Sequence, residues 1–175
     1  MAKLMTIVKK QKKYLSQIKL LQDLTGKELD EFCSILKPVG VPKDTLIMKE
    51  GEVGDSMFLF ADGEVVVTKN LTLKLGKRGF SNAEKSMVKL NSKTVPFFGE
   101  MAIFENDMRS ATITASTDCL LYEIKRDDFD NICKKNKTLG YKIIRKIAVT
   151  LCKHLRKGNQ DILKLTTALS IALSK

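Results

Sequence analysis

The chain has no tryptophan, one histidine and four cysteines in 175 residues. His154 alone cannot supply a multi-histidine metal site, and a Ser-His-Asp triad would depend on that single residue. Cys33, Cys119, Cys133 and Cys152 lie far apart, and no C-x-x-C pair occurs. That spacing argues against a zinc site and against a disulfide framework, and it fits a reducing compartment. No apolar run reaches membrane-spanning length, and the N-terminus lacks the pattern of a signal peptide. A cytoplasmic protein without a membrane span is expected.

What is present is a globular composition, 43% hydrophobic and 29% charged, in a length that suits one domain with an extension. The formal charge of +11 predicts a general attraction to anions. The lysines are spread along the whole chain, however. Dense blocks such as Lys9 to Lys13 and Lys74 to Arg78 read as solvated faces. Without tryptophan or a recognisable helix-turn-helix, specific DNA binding is not expected.

The stretch from Phe98 to Thr112 organises the rest. It brings together Gly99, the carboxylate of Glu100, a short apolar run, the lone Arg109, and then Ser110, Ala111 and Thr112. Backbone N–H groups opening at Gly99 and in the turn after it can bind phosphate oxygens. Arg109 offers a rigid fork of donors that matches two such oxygens. Ionised Glu100 can only accept, so beside an anion it suits a sugar hydroxyl. The inventory points to a small anionic ligand that carries a sugar. A plainer reading is that Arg109 and Glu100 pair with each other across a turn.

These residues closely resemble the cyclic nucleotide-binding domain family of the catabolite-activator and protein kinase A regulatory-subunit type. Its phosphate-binding cassette runs F-G-E-x-A and, after a variable stretch, R-[SA]-A-T. Phe98, Gly99, Glu100, Ala102, Arg109, Ser110, Ala111 and Thr112 occupy every fixed position. The resemblance implies that Glu100 holds the ribose 2′-hydroxyl and Arg109 the exocyclic phosphate oxygens. The amides near Met101 and Ala102, with the Ser110 hydroxyl, would complete the phosphate cradle. Serine at position 110 is similar to cAMP-type cassettes, whereas cGMP-selective kinases often carry threonine there. The expected ligand is therefore cAMP before cGMP, with no further cofactor and no catalysis.

Taken in order, residues 1–37 read as helical, with Leu15, Ile18, Leu21, Leu24, Leu29 and Phe32 at helical spacing. Thr25 and Glu28 form a capping box for a helix from about Gly26 to Lys37. Residues 1–13 have the pattern of a basic amphipathic helix. From Pro38 the pattern turns to short strands with glycine turns at Gly51, Gly54 and Gly63, which are expected to supply positive φ. Ala61-Asp62-Gly63 reads as a hairpin signal, and Thr72–Leu75 and Ser86–Leu90 as further strands across a long basic connection. The G-x-x-G-D-x-x-F rhythm from Gly51 also resembles the family's strand framework.

The expected fold is mainly β with flanking helices, an antiparallel jelly-roll barrel (a double-stranded β-helix). N-terminal helices would cover 1–37, the barrel 38–136 with its cassette at 98–112, and a long C-terminal helix 137–175. In that last segment Ile144, Ala148, Leu151, Leu155, Gly158, Ile162, Leu165, Leu169 and Ala172 make a heptad-like stripe, which predicts a homodimer in preference to packing on the parent barrel. Gly158-Asn159 is expected to kink or break the helix. The resemblance makes this helix a lid over the nucleotide, with candidates Val149, Thr150, Lys153 and His154, and it turns Val88 toward the base.

By resemblance the chain is a stand-alone, bacterial-like regulatory module that acts on an unidentified downstream protein. A DNA-binding catabolite activator would need a winged helix, and the chain stops at Lys175 where that would begin. A protein-contact scaffold on the same fold would carry a damaged cassette. A fragment of a channel or kinase is not expected, since no transmembrane or catalytic segment is seen.

Overall fold

The computed structural model describes residues 15, 18–74, 80–92, 94–105 and 107–174, with the backbone alone over 70–74 and 80–87. The predicted basic helix over 1–13 and the tip of the long connection lie outside the described residues. α1 spans Gly26–Cys33 and is capped as expected: the Glu28 amide donates to Thr25 Oγ1 and the Thr25 amide to Glu28 Oε2 at 2.7 Å. It ends well before Lys37, because that residue precedes Pro38 and is pushed into the extended region.

Among the described residues eight strands lie before, within and after the cassette: β1 Lys37–Val41, β2 Leu46–Met48, β3 Ser56–Asp62, β4 Glu64–Lys74, β5 Phe80–Asn91, β6 Phe97–Phe98, β7 Thr112–Ala115 and β8 Cys119–Lys125. They form two four-stranded antiparallel sheets, ordered β1-β8-β3-β6 and β2-β7-β4-β5. The sheets face each other without closing into one hydrogen-bonded cylinder. β4 and β5 form one long hairpin with a register shift at Val67/Thr68, rather than the shorter strands expected.

Gly63 does not close a hairpin. β3 and β4 belong to different sheets, and Gly63, at φ +96°, turns the corner between them. A Cβ there would meet Cys119 Sγ at 2.6 Å and the Asp118 carbonyl at 2.7 Å, so only glycine lets the two chain segments touch.

The apolar run in β3 is buried on both faces, and strand alternation explains how. Phe58 and Phe60 point between the sheets, where they meet Phe98, Val65, Ile113 and Leu121. The Phe58 and Phe98 rings stack with centroids 5.3 Å apart. Met57 and Leu59 point the other way, into a second cluster with Phe32, Phe129, Leu139, Ile143 and Ile147. Helices therefore cover one face of the first sheet.

Those helices are α1, a short α2 at Met101–Phe104, α3 at Arg126–Lys135 and α4 at Lys137–Leu173. Asn136 opens α4 by accepting from the Leu139 amide, and its own side-chain amide donates to Glu31 at 2.8 Å. α4 is a single helix of 37 residues, about 55 Å long. The break expected at Gly158-Asn159 does not occur. A lone glycine weakens a helix by about 1 kcal/mol without interrupting its hydrogen bonds, and no proline follows. Only the first turns pack on the body, through Leu139, Ile143 and Ile147, and everything from Leu151 to Ser174 is exposed.

Candidate functional site

Arg109 stands just ahead of β7 rather than on a strand edge. Its amide donates to the Glu52 carbonyl at 2.8 Å and its carbonyl accepts from the Gly51 amide at 3.0 Å. An isolated antiparallel bridge between Val53 and Met108 extends the clamp. This backbone grip aims the side chain inward, across the end of β3. The guanidinium donates to the Ser56 carbonyl at 2.7 Å, to Ser56 Oγ at 3.2 Å and to the Gly99 carbonyl at 3.3 Å. Ser56 is itself buried, so these bonds are sheltered from water. They occupy part of the five-donor fork and leave the rest for an anion.

The two glycines around Arg109 exist for different reasons. Gly99 needs its φ of +74°, and a Cβ there would sit 3.0 Å from the guanidinium. Gly54, expected to supply positive φ, does not have it. A Cβ on Gly54 would instead overlap Nε and Cζ of Arg109. Burial lowers the Arg109 pKa from its ordinary value; Asp55 and Glu123 act against that shift, and the Arg126 cation adds to it. An arginine still keeps its charge. The site is a half-buried cation with its geometry set by backbone.

Glu100 follows at the head of α2, and burial pushes its carboxyl above the usual range, against the pull of its own amide and of His154. It does not pair with Arg109, whose hydrogen bonds go to Ser56 and Gly99. The amide of Ala102 donates to the Gly99 carbonyl at 3.2 Å, so it is engaged within the turn. Arg126, the first residue of α3, ties the far side of this turn down. It donates to the carbonyls of Ala102 at 2.6 Å and Glu105 at 2.7 Å. Beside it Phe104 meets Phe129 of α3 edge-on, with centroids 6.3 Å apart.

Glu100, Arg109 and Ser110 open into one cavity of about 610 Å³, within the usual range for small-molecule sites. Phe98, Gly99, Met101, Ala102 and Ala111 line it as well, and so does Val88 from β5. α4 contributes the opposite wall through His154, Lys157, Gly158 and Asp161. Thr150 does not reach this cavity. It lies one turn nearer the body, where α4 faces Thr94 and Pro96, and its hydroxyl donates back to the Lys146 carbonyl. Val149 and Lys153 face that side too.

Sequence reasoning missed Lys157 and Asp161. Their signal was the polar spacing 154, 157, 158, 161, one helical face, which the expected break at Gly158 concealed. Ser56 and Gly54 were also missed as partners of Arg109, since nothing local marks contacts across that distance in sequence. Among the described residues no group of His, Cys, Asp and Glu is placed to hold a metal ion, and no helix is long and apolar enough to cross a membrane.

Comparison with known proteins adds to this geometry. Residues 38–136 match the family described as cyclic nucleotide-binding domain. A cyclic nucleotide-gated potassium channel of Rhizobium etli is 32% identical over 136 residues, 77% of this chain and 33% of the channel. A cGMP-dependent protein kinase of Drosophila melanogaster is 36% identical over 110 residues, 63% of this chain and 8% of the kinase. The chain thus spans a third or less of these relatives. A solved cyclic nucleotide-binding domain from Methylobacillus flagellatus superposes with a TM-score of 0.71 at 25% identity, covering 86% of this chain and 79% of that one. The chain belongs to the cyclic nucleotide-binding domain family.

Proposed function

We propose that this chain is a regulatory module that senses a cyclic nucleotide, cAMP in preference to cGMP, and reports its presence through α4. The observation that carries the proposal is the convergence of Arg109, Glu100 and His154 on one cavity between barrel and helix. In this reading Arg109 binds the phosphate, Glu100 accepts from the ribose hydroxyl, and Ser110 adds a hydroxyl to the phosphate. Phe98, Gly99, Met101, Ala102 and Ala111 shape the cradle, and Val88 and His154 flank the base. The binding unit is 38–136, with a helical segment before it and the lid of 137–175 after it. The preference for cAMP rests on Ser110.

Reporting follows from linkage: a ligand shifts a helix only if it binds one helix position better than another. Two contacts support α4 as that element. It walls the cavity directly, and Arg126 with the Phe104–Phe129 pair connects the cassette turn to the α3–α4 junction. The module performs no bond chemistry of its own and needs no cofactor. It acts in the cytoplasm on a downstream protein, as a homodimer joined through the exposed apolar stripe of α4, where Leu155, Ile162, Leu165 and Leu169 are all more than half exposed. Titrating cAMP and cGMP into the protein tests ligand and preference together.

A further inference from the structure

A second cavity of about 580 Å³ lies between the first half of α4, the 19–24 segment and the loop of Thr94 and Pro96. Among the described residues it shares only His154 with the site above. Among the described residues five cations line it, Lys19, Lys142, Arg145, Lys146 and Lys153, against a single carboxylate, Asp23. Two of the five are neutralised: Lys142 pairs with Glu28 at 2.7 Å and Lys146 with Asp23 at 2.7 Å. Lys19, Arg145 and Lys153 have no ion pair among the described residues.

The free cations do not converge on a point. Arg145 and Lys153 are two helical turns apart on one face of α4, about 12 Å along the axis. Lys19 comes from the other segment that lines the groove, and Val149, midway between Arg145 and Lys153 on the same helix face, gives it an apolar floor together with Leu24 and Pro96. A compact anion would reach one of these cations. An extended chain spans 12 Å in about four residues. Concave walls with charge on both sides also suit an inserted strand of peptide better than a flat lipid surface.

We propose that this groove docks an acidic peptide segment of a partner protein, with carboxylates about four residues apart and an apolar side chain between them. The charge excess draws the segment in, and the floor between the cations takes its anchor. The groove does not depend on the cyclic nucleotide reading, since its residues lie outside the cassette.

The test uses the full chain and a fluorescein-labelled peptide repeating Glu-Ser-Leu-Ser, which in extended form puts glutamates four residues apart and the leucine between them on one face, followed by anisotropy. Saturable binding that weakens as salt rises is expected. Arg145→Glu with Lys153→Glu should weaken it at least about tenfold. Both positions are exposed, so the fold is retained, and thermal denaturation checks this. Lys43→Glu with Lys69→Glu makes the same change in net charge outside the groove and should leave affinity within about twofold. No saturable binding by the wild type would overturn the proposal, as would equal losses in the two variants. Groove-dependent binding to phosphatidylserine vesicles without peptide binding would overturn it in favour of a lipid surface.

Discussion

Gly54 lies against the guanidinium of Arg109 so closely that no other residue fits between them. The glycine is a packing requirement of the arginine, although the two are far apart in sequence. Gly54→Ala should therefore push Arg109 off Ser56 and weaken nucleotide binding, by less than removal of the arginine does. Calorimetric titration would read the loss, while a near-normal melting temperature would show that the barrel survives.

Truncating the arginine itself should do more. Arg109→Ala leaves the phosphate without its cation and should cost about 2–5 kcal/mol. That is roughly 30- to several-thousand-fold in affinity. Glu100→Ala removes a single polar contact in the same reading and should cost less, about 1–3 kcal/mol. Titrations of the two variants side by side check the order.

Glu100 also sets a pH dependence. Burial raises its pKa in the folded protein above the ordinary 4.5. Its protonated form is therefore favoured by folding, and that contribution is lost as pH rises through the folded value. Glu100→Gln should raise the melting temperature at neutral pH, and the gain should vanish below the ordinary value. Affinity for the nucleotide, which needs the carboxylate as acceptor, should fall in the wild type as acid protonates Glu100, and stay flat in Glu100→Gln. Melts and titrations across that range separate the two effects.

That Glu100, Arg109 and Ser110 would gather at one cavity was legible because these residues sit close together in sequence. The capping box at Thr25 and Glu28 was legible for the same reason, being local. Thr25→Ala should cost about 1 kcal/mol, measurable by denaturant unfolding. What escaped was nonlocal. Gly54 and Gly63 both looked like turn residues, yet each is glycine partly because a distant side chain or backbone touches it. The pairing of β3 with β8 and β6, instead of with β4, depends on packing across the whole chain. On α4 the apolar stripe was visible and does stay exposed, but the face that packs on the body, Leu139, Ile143 and Ile147, was not read from the sequence.

That exposed stripe yields its own prediction. Leu155→Glu with Ile162→Glu places two charges in the proposed helix seam and should convert a dimer to a monomer. The fold should not suffer, because both side chains are already in solvent. Native mass by light scattering gives the answer, and an unchanged mass with Leu155→Glu and Ile162→Glu would place the oligomer contact elsewhere, or nowhere.

The most direct test of the account is calorimetry of cAMP and cGMP with wild-type protein and Arg109→Ala, after stripping any co-purified nucleotide. The account predicts saturable heat with cAMP, weaker binding of cGMP, and loss of both in the variant. Equal affinities for wild type and Arg109→Ala, or no heat with either nucleotide, would contradict it.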